Sequence, residues 1–358
     1  MRIAVLEPYI GGIGGAQRVI MKYASYLQSK GHNVEIFTQR YDKKNSYEDF
    51  KKIKINEISL KSKIFLPFIF LFKKFNTDIV IANDWPTNFA SIRNKNVLWI
   101  CYSPKRDIYS LREYSLKNYP FYQNIKVIAK SIFLKKIDQI SADKAKVIAS
   151  ISKNIQKKVR MYYKRDSEIF YLGIDFNDYK QGKYKDYVLC VSRLVKPKRV
   201  DLVVKSMGLV NNKKIRLCIV GAGPDEKEIK DLAKKYANVE FLGQVEDKKL
   251  LDLYSNCLAV IYTPIDEDWG LVPLEAGASG KPTIGSDEGG LKETIVNGKT
   301  GFLLDNVSPK SIAEKINYLA KNKKIAKKMG IEARKRAKKF DWNYLLPKIE
   351  KLIEYVKH

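Results

Sequence analysis

Histidine and cysteine, the side chains that most often bind zinc or form disulfides, are scarce in this sequence of 358 residues. It has two histidines, His32 and His358, and four cysteines, which are widely spaced and form no Cys-x-x-Cys pair. This scarcity argues against a structural zinc site and against a disulfide-rich secreted domain. His32 lies in a predicted helix-to-strand turn and is interpreted as structural.

The sequence also lacks an apolar run of the length that crosses a bilayer, which is about 20 residues. Residues 61–74 hold nine consecutive residues, mostly large and apolar, between lysines. Two interpretations stay open: the segment lies in a membrane interface, with its lysines on anionic head groups, or it is a core helix with lysines at its ends. Because Met1 leads straight into a strand-like segment, we expect no signal peptide and a cytoplasmic protein.

Acidic side chains are outnumbered, 39 against 67 basic ones, which gives a net charge of +28. Residues 1–175 hold 32 basic and 15 acidic side chains, whereas residues 176–305 are nearly balanced, with 20 and 19. Such an excess fits binding to nucleic acid, binding to an anionic membrane surface, or lysine-rich helix faces that are simply solvated. Charge alone does not choose among them.

Strand-like and helix-like segments alternate along the chain. Strands are predicted at 2–6, 34–38, 79–82, 97–101 and 147–150, and a helix at 16–29. The pattern restarts near residue 186, with strands at 187–192, 215–220, 239–242, 258–262, 282–284 and 301–304. This alternation predicts an α/β protein of two doubly wound, Rossmann-like domains that face a central cleft. A last helix is predicted over 341–356.

Two glutamates, Glu267 and Glu275, stand eight positions apart around a predicted helix start. A helix N-terminus attracts anions through its free N–H groups, here those of Gly270 and Leu271. A carboxylate beside it accepts hydrogen bonds from sugar hydroxyls. The segment therefore suits a ligand that is both phosphorylated and hydroxylated, such as a sugar nucleotide.

Two further segments suit a phosphate. Gly14 and Gly15 lie between a strand and a helix, where the missing Cβ atoms let backbone N–H groups approach a phosphate; the alternative is a tight turn without a ligand. Arg193 and Lys198 follow a strand and can neutralise a diphosphate. For these two residues the alternative is a solvated loop.

Residues 265–276, with their Glu267 and Glu275, resemble the E-x7-E motif of the retaining glycosyltransferases of family 4, the group 1 glycosyltransferases, which have the GT-B fold. Segments 11–16, 192–202, 220–224 and 241–245 also resemble family segments, in the same order. The resemblance implies an acceptor-side domain over 1–173, a nucleotide-sugar-binding domain over 174–340, and a C-terminal helix, 341–358, that packs back on the first domain.

The resemblance also implies an activity: transfer of a hexose from a nucleotide-diphosphate sugar to a glycan or a lipid-linked saccharide, with retention and without a metal or other cofactor. Arg193 and Lys198 would stabilise the leaving diphosphate and Glu267 would face the sugar, as catalytic residues. Glu275 would bind the ribose. Gln244 and Val245 would lie near the base.

One position departs from the family pattern. Segment 101–109 resembles a family segment that reads His-Ser/Thr-Pro-x-Arg, but Tyr102 stands in the place of the histidine, while Arg106 matches. The segment is frequent in mannosyltransferases and slightly favours mannose. Tyr102 is a sugar or acceptor contact, a residue that alters specificity, or a core residue; Arg106 is expected to bind a phosphate of the donor or the acceptor.

Other functions compete with this one. A GT-B epimerase or phosphorylase would need acid/base or cofactor residues that we do not find. A catalytically inactive binding or scaffold protein with the same fold is the main alternative, and Tyr102 supports it. The expected location is cytoplasmic, with a peripheral position at the inner face of the cell membrane if segment 61–74 and the basic first domain bind lipid. Nucleic acid is not an expected partner.

Overall fold

The computed structural model describes residues 1–11, 14–58, 68–118 and 121–358, with the backbone alone at 115, 118 and 121–132. The chain divides into two compact units: unit 1 comprises Met1–Leu172 and Leu345–His358, and unit 2 comprises Gly173–Tyr344. Each unit contains one sheet of parallel strands with helices between them. The predicted α/β class with two doubly wound sheets is therefore confirmed.

Unit 1 is built on a seven-stranded parallel sheet in the order β3-β2-β1-β4-β5-β6-β7. Its strands are β1 (Arg2–Glu7), β2 (Asn33–Thr38), β3 (Lys54–Glu57), β4 (Ile79–Asn83), β5 (Val97–Cys101), β6 (Val147–Ser150) and β7 (Glu168–Ile169). Its described helices are α1 (Gly15–Ser29), α2 (Ile69–Phe72), the single turn α3 (Asp84–Thr87), α4 (Arg112–Asn118), α5 (Phe121–Lys144) and α6 (Lys153–Tyr163). The central strands are almost wholly buried, as expected for a sheet that is covered on both faces.

Unit 2 has a six-stranded parallel sheet in the order β10-β9-β8-β11-β12-β13. Its strands are β8 (Tyr187–Val191), β9 (Arg216–Val220), β10 (Val239–Gly243), β11 (Ala259–Tyr262), β12 (Thr283–Ser286) and β13 (Gly301–Leu304). Its helices are α7 (Val200–Ser206), α8 (Glu226–Ala233), α9 (Asp247–Asn256), α10 (Leu271–Ala278), α11 (Leu291–Thr294), α12 (Pro309–Lys321) and α13 (Lys323–Lys338), and α14 (Trp342–Leu345) follows at the boundary. Most strands of this unit share one hydrophobic core with α7, α8, α12 and α13, and a smaller cluster holds Tyr262, Leu291 and Ile295.

Both sheets reverse their winding direction beside their first strand. In unit 1 the chain builds β1, β2 and β3 towards one edge and then places β4 on the other side of β1. In unit 2 it builds β8, β9 and β10 and then places β11 on the other side of β8. In open α/β sheets, ligands bind beyond the carboxyl ends of the strands at such a switch point. Each unit therefore has one topologically favoured ligand position.

The C-terminal segment differs from the single helix predicted over 341–356. It forms two helices, α14 and α15 (Pro347–Lys357), because Pro347 has no N–H to donate to the preceding turn. Helix α15 packs against β5 and β6 of unit 1, and Tyr26 of α1 donates a hydrogen bond to Glu350 at 2.9 Å. Helix α15 therefore belongs to unit 1.

Part of the 61–74 segment, residues 61–67, lies outside the described residues, so the two interpretations of the segment both stay open. Its described end contains the short helix α2. Among the residues that the structure describes, no helix combines the length and the apolar character needed to cross a membrane.

Candidate functional site

The switch point of unit 2 brings together the loops that carry three of the residues predicted to be catalytic. Arg193 and Lys198 lie in the loop that follows β8, and Glu267 lies in the loop that follows β11. The two loops are joined directly, since the N–H of Ile265 donates to the carbonyl oxygen of Pro197 at 2.8 Å. The strand order therefore places basic and acidic side chains from distant parts of the sequence at one edge of the sheet.

Lys198 and Glu267 are in direct contact. The Lys198 ammonium lies 2.6 Å from one carboxylate oxygen of Glu267, and the two side chains are only 18% and 15% exposed. The Tyr262 hydroxyl, at the end of β11, lies 2.8 Å from the ammonium and donates to the other Glu267 oxygen at 2.9 Å. These three groups form a closed, largely desolvated cluster, in which charge interactions are stronger than in water.

Sequence reasoning missed this arrangement. It assigned Lys198 to a diphosphate and Glu267 to a sugar, as separate contacts, and it left Tyr262 as an ordinary strand residue. In the structure the two charges compensate each other. An incoming anion would therefore compete with Glu267 for the Lys198 ammonium, and Glu267 would then have a free oxygen for a hydroxyl group.

Arg193 differs from Lys198, which lies in the same loop. Its side chain is exposed, and the guanidinium has no hydrogen bond or ion pair with the described part of the chain. Lys196, three positions away in the same loop, is paired with Glu228. An unpaired arginine on the loop that flanks the switch point is available to a ligand without breaking an internal contact, and its fork of N–H groups suits a phosphate.

The loop that carries Glu267 is held by the loop that follows β12, another contact that sequence reasoning did not predict. The N–H of Gly290 donates to the Glu267 carbonyl oxygen at 2.6 Å. Gly289 has a φ of +58°, and a Cβ there would lie 2.1 Å from the same oxygen. Glu288 accepts from the Asp266 N–H at 3.0 Å and pairs with Arg199 at 2.6 Å. The Ser-Asp-Glu-Gly-Gly run after a strand was the available signal, because adjacent glycines permit close backbone contact.

Helix α10 begins at Leu271, as the pattern predicted, with Gly270 in the left-handed region at a φ of +97°. Glu275 lies inside this helix, partly buried, and accepts a hydrogen bond from the Tyr254 hydroxyl at 2.7 Å. Burial raises the pKa of Tyr254 well above its ordinary value, and the neighbouring Glu275 charge adds to the shift. Tyr254 therefore stays protonated and keeps the Glu275 carboxylate in a fixed orientation.

Gln244 and Val245 lie at the same edge of the sheet, beyond β10 and two strands away from β8. Gln244 is exposed and Val245 is partly buried. Between them and Arg193 runs the loop after β9, where a Cβ on Gly221 would lie 1.9 Å from the Ser192 carbonyl oxygen. The loop after β9 therefore contacts the loop after β8, and only a glycine fits at position 221.

In unit 1, Gly14 precedes α1 with an extended backbone, and a Cβ at this position would meet no atom of the described residues within 4 Å. Gly15 is the first residue of α1. The described residues thus impose no need for glycine at position 14. A glycine at this position suits a ligand that approaches the backbone, although the described contacts do not identify one.

Tyr102 follows β5, with a hydroxyl oxygen that is shielded from solvent and has no hydrogen-bond partner among the described residues. Burial raises its pKa well above the ordinary value, and the nearby Tyr23, Glu7 and Asp84 add to the shift. The phenol therefore remains protonated at neutral pH and is no general base. Arg106, four positions further on, is partly buried.

Comparison with known families matches almost the whole chain in two parts. The model of "Glycosyltransferase Family 4" matches residues 13–178, and the model of "Glycosyl transferases group 1" matches residues 174–336. Among curated proteins, the chain is similar to the alpha-1,3/1,6-mannosyltransferase ALG2 of Dictyostelium discoideum, with 24% identity over 94% of this chain and 93% of the relative.

Solved structures share the fold over the full chain. Sucrose-phosphate synthase from Thermosynechococcus elongatus superposes with a TM-score of 0.83 at 18% identity, covering 99% of this chain and 98% of that one. Anabaena HepE in complex with UDP-glucose superposes with a TM-score of 0.79 at 18% identity, covering 99% of both chains. At this identity the agreement concerns the fold, which is the one that the sequence motifs implied.

Proposed function

This chain belongs to glycosyltransferase family 4, with the GT-B fold, and we propose that it transfers a hexose from a nucleotide-diphosphate sugar to a glycan or a lipid-linked saccharide. The observation that carries the proposal is the cluster of Lys198, Glu267 and Tyr262 at the unit 2 switch point. The loop that holds Lys198 also carries Arg193, whose guanidinium has no partner among the described residues. The cluster combines positive charge for a diphosphate with a carboxylate for sugar hydroxyls. The mannosyltransferase activity in the name of the Dictyostelium relative supports mannose as the hexose.

The proposed reaction depends on charge around the leaving group. As the bond between the anomeric carbon and the diphosphate oxygen breaks, that oxygen gains negative charge, and Arg193, Lys198 and the N-terminus of α10 stabilise it. The acceptor oxygen forms the new bond on the same face of the sugar, which retains the anomeric configuration, and its proton passes to the leaving phosphate. These positive groups perform the role that a metal ion has in other transferases, so we propose a metal-independent reaction.

We propose the other contacts as the family resemblance assigns them. In unit 2, Glu267 would hold the sugar, Glu275 the ribose, and the N–H groups of Gly270 and Leu271 the diphosphate. Gln244 and Val245 would lie near the base. In unit 1, Gly14 and Gly15 remain predicted phosphate contacts, and Tyr102 and Arg106 predicted contacts of the sugar or the acceptor.

Thermal unfolding in the presence of nucleotides tests the proposal directly. We expect either UDP or GDP, and its sugars, to raise the melting temperature, because a ligand at 100 times its Kd adds about 2.7 kcal/mol of stability. Of the two nucleotides, we expect GDP, together with GDP-mannose, to raise the melting temperature. Slow hydrolysis of the same nucleotide sugar should accompany binding. Binding without hydrolysis or transfer would support the inactive scaffold instead, and a panel without any stabilising nucleotide would contradict the proposal.

We also propose that unit 1 docks on an anionic membrane surface, which would place the enzyme peripherally at the inner face of the cell membrane. Phe72 of α2 and Phe133 of α5 are 62% and 63% exposed, and the Phe133 ring lies 6.2 Å from that of Phe68, next to α2. Lys74 and the neighbouring residues Lys135 and Lys136 are also exposed. Exposed aromatic rings beside lysines suit acyl chains below anionic head groups.

Vesicle sedimentation tests the docking surface. The parent protein should sediment with phosphatidylglycerol-containing vesicles at low salt and not with phosphatidylcholine alone. Phe72→Asp should weaken this binding about tenfold or more, because it removes an exposed aromatic ring that would insert among the acyl chains and adds a repelled charge. Leu209→Asp, at a 52% exposed apolar position of unit 2, is the matched control and should bind like the parent. Equal binding by both variants would contradict the proposed surface.

A further inference from the structure

Two residues beside the proposed site have a backbone conformation that only glycine adopts freely. Arg199, directly after Lys198, has a φ of +53°, and Asp266, directly before Glu267, has a φ of +45°. In this left-handed region the Cβ crowds the backbone, so such residues persist only where surrounding contacts hold them. Four non-glycine residues in the described ranges have a positive φ, and two of the four adjoin the proposed catalytic pair. The contacts that hold these two residues therefore matter to the site.

The Glu288 carboxylate contacts both of them. One oxygen lies 2.6 Å from a guanidinium nitrogen of Arg199, and the other accepts a hydrogen bond from the Asp266 N–H at 3.0 Å. The Arg199 and Glu288 side chains are 22% and 32% exposed, so their ion pair is partly shielded from water and stronger than one on an open surface. A single side chain of the loop after β12 thus holds the loop after β8 and the loop after β11.

Other contacts at the end of β12 hold the loop that carries Glu267. The Ser286 hydroxyl donates to the Pro264 carbonyl oxygen at 2.7 Å, and the Gly290 N–H donates to the Glu267 carbonyl oxygen at 2.6 Å. Both contacts join the end of β12 to the loop after β11. Glu288 adds a side-chain link to the loop after β8, so it couples the two loops that carry the charged cluster.

The ion pair of Lys198 with Glu267, by contrast, cannot hold the site while a donor is bound. In the proposed reaction the diphosphate takes the Lys198 ammonium, which lies 2.6 Å from Glu267 in the structure. Both side chains must then keep their directions without each other. The Glu288 contacts involve neither side chain, since they are made to Arg199 and to the backbone of Asp266. They therefore remain available when the ion pair opens.

We propose that Glu288 is a positioning residue for the transfer reaction, which fixes the backbone from which Lys198 and Glu267 project. The inference rests on the proposed function, because it identifies what keeps the diphosphate contact and the sugar contact in place once the donor separates them. Reaction rates depend steeply on such placement, since an error of about 1 Å can lower a rate about 100-fold. The donor would still be held by Arg193, α10 and Glu275, so the loss without Glu288 should appear in kcat more than in donor binding.

Substitution of Glu288 tests this role by kinetics. Glu288→Ala should lower kcat for sugar transfer by about 30- to 100-fold and change the donor KM by less than about threefold. Glu288→Gln loses the ion pair but keeps an oxygen for the Asp266 N–H, so it should recover part of the loss. Glu228→Ala breaks the ion pair of Lys196 on the same loop after β8 and is the matched control, which should transfer sugar like the parent. A parent-like kcat in Glu288→Ala, or a loss confined to KM, would overturn the inference.

The strained arginine supplies a second variant. Glycine adopts a φ of +53° without strain, so Arg199→Gly removes the ion pair while it relieves the backbone. If Glu288 acts partly through Arg199, the double variant should lose no more activity than Glu288→Ala alone, because the two substitutions break the same contact. Losses that multiply in the double variant would mean that Arg199 acts independently of Glu288, which contradicts the proposed route.

Hydrogen exchange of the donor-free protein tests the same contacts without any activity. The amides of residues 265–270 should exchange about tenfold faster in Glu288→Ala than in the parent, the factor expected for a lost hydrogen bond to a charged group. They should exchange at the parent rate in Glu228→Ala. Equal exchange in Glu288→Ala and the parent would overturn the inference. Faster exchange in a protein that transfers no sugar would support the Glu288 contacts and contradict the proposed function.

Discussion

Replacing Arg193 with alanine is expected to lower kcat for sugar transfer by about 100- to 1,000-fold, the usual effect of removing one preorganised group that stabilises developing charge. The melting temperature should not change, because the guanidinium is exposed and has no partner in the described part of the chain. Steady-state transfer kinetics and thermal unfolding of the same preparation measure both effects. The loss should appear mainly in kcat, since the charge on the leaving diphosphate is greatest in the transition state.

Two variants make this result specific. Lys196→Ala removes another positive charge from the same loop, but this lysine is paired with Glu228 and is not part of the proposed site. It should retain nearly full activity. Arg193→Lys keeps the charge and loses the forked geometry, so it should lie between the parent and the alanine variant. If Arg193→Ala transfers sugar as fast as Lys196→Ala, Arg193 does not stabilise the charge on the leaving diphosphate, and the proposal is contradicted.

Replacing Glu267 with alanine should also lower kcat by about 100-fold or more, but with a different stability signature. The substitution leaves Lys198, which is only 18% exposed, without its carboxylate partner. We therefore expect a loss of roughly 1–3 kcal/mol in the free energy of unfolding, the usual cost of an unsatisfied buried polar group. Denaturant unfolding measures the loss, and donor hydrolysis and transfer measure the activity.

The Tyr262 hydroxyl supplies the control for Glu267. Tyr262→Phe removes the hydrogen bond to the carboxylate and the hydrogen bond from the Lys198 ammonium, but it keeps the carboxylate charge and the contact between Glu267 and Lys198. Its activity should fall by about tenfold, the lower end of the loss for a hydrogen bond to a charged group, because the carboxylate and its ion pair with Lys198 remain. If Tyr262→Phe and Glu267→Ala lose the same activity, the carboxylate acts through the orientation of the cluster and not through contact with the sugar.

Much of the candidate site could be predicted because its residues occur in short local patterns. The start of α10 at Leu271 follows from the apolar run after Gly270, and the loop after β8 follows from the end of a strand-like segment. The contact of Lys198 with Glu267 could not be predicted in this way. The two residues are 69 positions apart, and only the adjacency of β8 and β11 places their loops together.

Other residues were missed because their roles depend on burial. Glu7 stands at the end of a predicted strand, and nothing in its sequence neighbours shows that Asp84 and Tyr102 follow adjacent strands. Tyr254 and Tyr262 looked like ordinary helix and strand residues, and the direction of each hydroxyl depends on which face of the element is packed. The division of the last predicted helix at Pro347 was visible in the sequence, but the apolar periodicity outweighed the proline.

The sequence by itself determined the α/β class, the two parallel sheets and the glycosyltransferase family, because strand and helix periodicity and short motifs are local properties of the chain. The tertiary structure alone decided where the two switch points lie, which charges compensate each other, and which carboxyl group is buried with a raised pKa. These properties depend on the order of strands in each sheet. That order is set by crossover connections and packing between residues far apart in the sequence, so it leaves little local signal in the amino-acid pattern.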